Sequence, residues 1–146
     1  FARALSGIDI QGDAHSWWRA AAGRYTRDSK PLPGAVLVLV STRRLPEGHL
    51  AVVVRSLGPR EILVAHANWG SGPARGAVHQ EQRVVDVSRR NDWSAVRVWH
   101  PETGALGRTV FPARGFIHPP ERRTSEQVAA DVPRAAHDAA TRVAAR

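Results

Sequence analysis

A chain of 146 residues with an apolar fraction of 42% and five Trp holds one domain and one core, with no room for a second catalytic domain. The formal charge of +8 invites a nucleic-acid reading, but 20 of the 21 basic residues are Arg, scattered without an aromatic-interleaved stripe, so nucleic acid is not the expected partner. With no cysteine the chain has no disulfide and no thiolate metal site, and no apolar run approaches the length of a membrane span.

The opening FARALSGI reads as a helix already under way, ended at Ser6-Gly7, and no targeting signal is visible. Residues 8–12 are a connection. Asp13 is a suitable N-cap for a second helix reaching about Arg24, with Trp17, Trp18, Ala21 and Ala22 on one apolar face and His15 at the surface. The two Trp could offer a sugar-stacking platform; core anchors are the better reading, because Trp is usually highly buried. Pro, Gly, Asp and Ser make 27–34 a loop. Residues 35–40 form a continuous apolar strand, and 41–48 a polar loop.

Gly48 to Trp69 follows, GHLAVVVRSLGPREILVAHANW. It reads as two strands, Gly48 to Arg55 and Arg60 to Ala67, around a turn at Ser56-Leu57-Gly58-Pro59. The middles are apolar without alternation, as in strands covered on both faces. Polar residues collect at the open end: His49 at the start of the first strand, His66 and Asn68 at the end of the second. In an antiparallel pair closed by a two- or four-residue loop, one of the latter lies directly opposite His49 and the other is its diagonal neighbour, so an imidazole and an amide can meet at the rim of the sheet. Residues 70–76 are Gly-rich and start beside this rim, a candidate lip for a groove. Gly70-Ser71-Gly72 lacks the strand-turn-helix context of a serine nucleophile.

Further strands are expected at 84–88 and 95–100, the second with Val96 and Val98 on one face and Arg97 and Trp99 on the other. A last strand at 109–117 is expected to be broken by Pro112. From His118 the composition changes. Thr124-Ser125-Glu126-Gln127 has a capping-box pattern, but the Ala-rich segment that follows carries Pro133 and has little to bury. Residues 119–146 are therefore expected to be a mobile, partly helical tail to a domain spanning 1–118. Helices at the start followed by a run of strands give an α+β class, with N-terminal helices packed on an antiparallel sheet of about five or six strands.

Phe1-Ala2-Arg3, Ser6-Gly7-Ile8, Gly34 to Val38, Gly48 to Val53 and His66-Ala67-Asn68-Trp69 together resemble the CHAP family, the cysteine, histidine-dependent amidohydrolases and peptidases. Residues 92–99 look like a segment of a bacterial branch of that family. The resemblance implies a papain-like fold and a nucleophilic cysteine three positions before the aromatic-Ala-Arg run, which places it ahead of Phe1. It also implies peptidoglycan or its stem peptides as substrate, a secreted or periplasmic location, a monomer and no cofactor. Carried over, His49 is the general base and Asn68 an orienting or transition-state-stabilising residue. Trp69 and Gly70 touch substrate. His66 stands where many members carry an acid. A positive surface suits an anionic polymer such as the bacterial cell wall. Without the upstream thiol the chain is expected to be inert, and two other readings stand beside this one. One is a non-catalytic wall- or protein-binding module of the same fold. The weaker is a metal site using His49, His66 and His79, for which neither a helical HExxH spacing nor a carboxylate cluster is present.

Overall fold

The apolar runs at 35–40, 50–54 and 62–65 form the centre of a sheet covered on both faces, in a computed structural model that describes residues 1–67 and 78–144. The elements, in order, are α1 (Ala2–Ser6), α2 (Ala14–Ala20), β1 (Thr26–Asp28), β2 (Val36–Leu39), β3 (His49–Gly58) and β4 (Glu61–Ala67). Then come β5 (Val78–Asp86), β6 (Ala95–His100), β7 (Ala105–Leu106), β8 (Phe111–His118) and α3 (Ser125–Ala144). All strand pairings are antiparallel. The order is β1-β8-β2-β3-β4-β5-β6-β7, and a further β8–β6 pairing closes β8, β2, β3, β4, β5 and β6 into a six-strand barrel.

The class is α+β, but the sheet corrects the expectation of five or six strands: it has eight among the described residues, and it is closed. Closure explains the unbroken apolar runs. Leu37, Leu39, Ala51, Val53, Ile62 and Val64 fill the barrel interior with Val84, Val96, Val98, Trp93 and Phe116. The alternate residues Val36, Val38, Val52, Val54 and Ala65 form the outer core, against Leu5, Ile8 and Ile10 at the N-terminus, Trp17 of α2, and Val128 and Val132 of α3. Each such Val or Leu gains about 1.5–3 kcal/mol from burial, so both faces are driven into cores and neither alternates with polar residues.

Local boundaries differ from the sequence reading for identifiable reasons. The hairpin turn is Pro59-Arg60, because Ser56 and Gly58 stay paired with Ile62 and Glu61 across two register shifts. β1 occupies part of the expected 27–34 loop. It pairs along the edge of β8, with Arg27 lying 5.0 Å over the Trp18 ring and donating to Trp18 O. α2 ends at Ala20; Asp13 caps it without a side-chain bond, and Ala22 is exposed. β5 begins at Val78, well before 84. Its last residue, Asp86, is 1% exposed and accepts from Ser88 N, Trp93 N and Asn91 Nδ2, holding the turn to β6 in which Asn91 and Trp93 have positive φ. Pro112 lies within β8 without breaking it, beside a register shift that relaxes the ladder.

The C-terminal segment is tied down more than its composition suggests. The capping box forms, with Gln127 N donating to Thr124 Oγ1 (3.1 Å) and Thr124 N to Gln127 Oε1 (2.9 Å). Val128, Val132 and Ala135 are buried in the outer core, and Arg123 donates to Leu5 O (2.6 Å) and pairs with Asp131. The buried side chains are small, two Val and one Ala, and what they needed was a ready apolar surface on α1 and β3. No described helix is long and apolar enough to cross a membrane.

Candidate functional site

The site is built where β3 begins. Gly48 turns the chain into the strand with φ +72°, and a Cβ there would sit 2.7 Å from Leu39 O, so only glycine fits. The loop before it is held by His15, whose N–H donates to Glu47 O at 2.9 Å. His49 then follows the inward parity of Ala51 and Val53 and is 7% exposed.

On β4 the inward series is Ile62, Val64 and His66. Val52 faces Ala65. Continuing that register places Ala51 opposite His66, so His49 and His66 are diagonal neighbours on one face. Their rings meet edge to face, with centroids 5.1 Å apart and His49 Nε2 2.9 Å from His66 Nδ1. His79 on β5 stacks on the other side of His66, with centroids 5.1 Å apart and planes 25° apart.

Two of these rings are kept neutral. Burial, helped by the nearby His79, lowers the pKa of His49 to about 4. Burial followed by the neighbouring His49 and His79 lowers His66 to about 3, with the nearby Gln82 side chain pulling in the opposite direction. No carboxylate is among the causes of either shift. At neutral pH one proton lies in the hydrogen bond between the two rings, and either nitrogen can be the donor, depending on the tautomers.

His49 has two environments. On the barrel side it joins His66, Gln82 and the aliphatic residues Leu37, Leu39 and Val64 around a space of only about 10 Å³. On the helix side it lines an open groove of about 520 Å³ shared with Phe1, Arg3, Trp17, Glu47 and Ala67. The groove thus brings the start of α1 beside His49. No Ser, Thr or Cys is among its described lining residues. An imidazole lines the groove, with a second imidazole behind it.

Trp17 is 3% exposed and donates Nε1–H to Gly12 O (3.3 Å), an anchor under the groove floor. Asn68, Trp69 and Gly70, and the Gly-rich lip that follows, lie outside the described residues. Among the described residues no three His, Cys, Asp or Glu side chains converge to hold a metal, and the facing nitrogens of His49 and His66 are spent on each other. Sequence reasoning did not single out Gln82, which is 8% exposed and aimed into the barrel beside both imidazoles. An inward polar residue in a strand is the signal, and it was hidden because β5 was expected to start after it.

A family model described as the CHAP domain matches residues 1–68. No curated protein matches the chain.

Proposed function

Residues 1–68 belong to the CHAP domain family, and on that premise we propose that the chain is part of a peptidoglycan hydrolase that cleaves an amide bond by a Cys/His mechanism. CHAP domains are generally cysteine- and histidine-dependent amidohydrolases acting on peptidoglycan. The observation that carries the reading to this chain is that His49, backed by His66, lines the same groove as Phe1 at the start of α1.

In the proposed reaction a thiol three positions ahead of Phe1 gives its proton to His49, and its sulfur attacks the carbonyl carbon. The C–N bond breaks as His49 returns the proton to the leaving amine. Water, deprotonated by His49, then cleaves the thioester and releases the acid. His66 orients the base through the 2.9 Å contact. Being neutral, it supplies none of the negative charge that an acid at this place would, so the thiolate-imidazolium pair is less favoured here. Asn68 would contribute a second polar contact, and Trp69 and Gly70 would flank substrate. The enzyme would work as a monomer outside the cytoplasm, where the wall is.

The test compares the chain with and without a Cys-x-x extension before Phe1 on purified peptidoglycan, following turbidity and amine release. The extended form should lyse, alkylation should abolish lysis, and His49→Ala should remove it by several powers of ten, roughly the cost of losing the thiol, since such groups act as a unit. Asn68→Ala should cost less. Equal activity of the unextended chain would refute the cysteine mechanism. Binding by both forms with cleavage by neither would make this a wall-binding module.

A further inference from the structure

The hydrogen bond between His49 and His66 is ambiguous on its own. If His66 donates from Nδ1, His49 must accept at Nε2 and carry its proton on Nδ1, the nitrogen turned away from His66, and it cannot act there as a base. If His49 donates from Nε2, its lone pair lies on Nδ1 and it can. Something must choose between the two.

Gln82 is placed to do so. β4 and β5 pair with a register shift: Val64 faces Gln82 but His66 faces His79, so β5 carries one extra residue between them. Residues 79 and 82 are an odd number apart and in a regular strand would point to opposite faces. The bulge at the exposed Gln80-Glu81 step lets both flank His66. The orientation of the Gln82 amide is set from behind. Its Nε2 is bonded to Trp99 O on β6, and a carbonyl can only accept, so the NH₂ end is committed to β6 and the carbonyl end remains for His66. The influence of Gln82 on His66 has the matching sign: it favours the protonated ring, as an acceptor does.

We propose that Gln82 is a positioning residue. In the relay a small turn of its side chain brings its carbonyl to the Nε2–H of His66, a bond not yet formed in the present geometry; His66 Nδ1 is then left as an acceptor for His49 Nε2–H, and the lone pair of His49 stays on Nδ1. The relay runs across four strands, from Trp99 O through Gln82 and His66 to His49, and it uses no charge. It gives a His in the place of an acid the one service an acid would perform by default, which is to accept a proton and never donate one. Gln82 lies beyond the 1–68 segment matched by the family. The bearing of this on catalysis rests on the function proposed above; the tautomers do not.

The experiment is a two-bond ¹H–¹⁵N correlation of ¹⁵N-histidine-labelled protein at pH 7.5, which distinguishes a bare ring nitrogen from one carrying hydrogen. In the native chain both His49 and His66 should show a bare Nδ1 and a protonated Nε2. Gln82→Leu should mix the tautomers of both rings, and Gln82→Glu, which keeps an acceptor, should restore them. His49 found with hydrogen on Nδ1 in the native chain would overturn the proposal, and that result needs no variant to fold. So would folded Gln82→Leu protein with both tautomers unchanged. In the cysteine-bearing form Gln82→Leu should lower kcat by about ten- to a hundredfold with little change in KM, the scale seen when the group orienting a functional imidazole is removed. The tautomers decide the role of Gln82. Native tautomers as expected in a cysteine-bearing protein that does not hydrolyse would refute the proposed reaction and leave the relay standing.

Discussion

Acidification should unfold this protein through the His49–His66 pair. Both rings are folded into the barrel end as neutral groups, at about 4 and about 3 against an ordinary value of 6.5. Below pH 6.5 the unfolded chain takes up protons that the folded pair refuses, so stability falls as pH falls and recovers as it rises back through 6.5. At pH 5 an unfolded His is almost fully protonated while neither folded ring is. Each ring therefore costs about one and a half pH units of proton binding, or about 2 kcal/mol, and the pair about 4 kcal/mol. That magnitude does not depend on where below 5 the folded values lie, and it is a large share of the roughly 5–15 kcal/mol that a domain has. The assay is denaturant unfolding at pH 8 and pH 5, followed by Trp fluorescence, for the native chain and for His66→Gln. The native chain should lose about 4 kcal/mol more at pH 5 than at pH 8 from this pair, and His66→Gln about half of that, because one titration has gone. The surface histidines are common to both proteins and cancel in the difference. Parallel losses in the two proteins would refute the argument that burial holds these imidazoles neutral.

Other outcomes follow from the same geometry. His66→Glu puts a carboxylate beside His49, which favours the imidazolium and raises the pKa of His49 above its value of about 4. In a cysteine-bearing form, iodoacetamide should then label the thiol faster at pH 6 than in the native background, and an unchanged rate would count against the proposed ion pair. Gly48→Ala combines a positive φ with a Cβ 2.7 Å from Leu39 O. It should cost about 1–3 kcal/mol in unfolding experiments and disturb the His49 ring signals more than those of His118 at the far end of the sheet. Val132→Asp places a charge at a position 2% exposed in the outer core. Protease should cut α3 in this variant while sparing it in the native chain; equal protection would mean that α3 is held by Arg123 alone.

The hairpin was legible because its signal is local. Consecutive apolar residues at 50–54 and 62–65 require cover on both faces, and with a two- or four-residue turn the strand period of two puts His49 and His66 on one face; the two register shifts in the hairpin each reverse that parity and together restore it. The capping box at Thr124 and Gln127 was legible for the same reason, its partners being three residues apart. Other features were decided by contacts that no short window contains. The edge strand β1 exists because β8, about ninety residues later, offers it an unpaired edge. The barrel closes because Ala95 and Val96 reach Pro112 and Phe111. α3 is anchored because α1 and β3 leave an apolar surface open to it. Gln82 enters the site only through a bulge between β4 and β5. Sequence by itself determined which strands are central and, for a turn of even length, where two imidazoles can meet, since both follow from the period of the strand. Tertiary structure decided that the sheet closes and that burial keeps those imidazoles neutral, because closure and desolvation are properties of residues distant in the chain brought together.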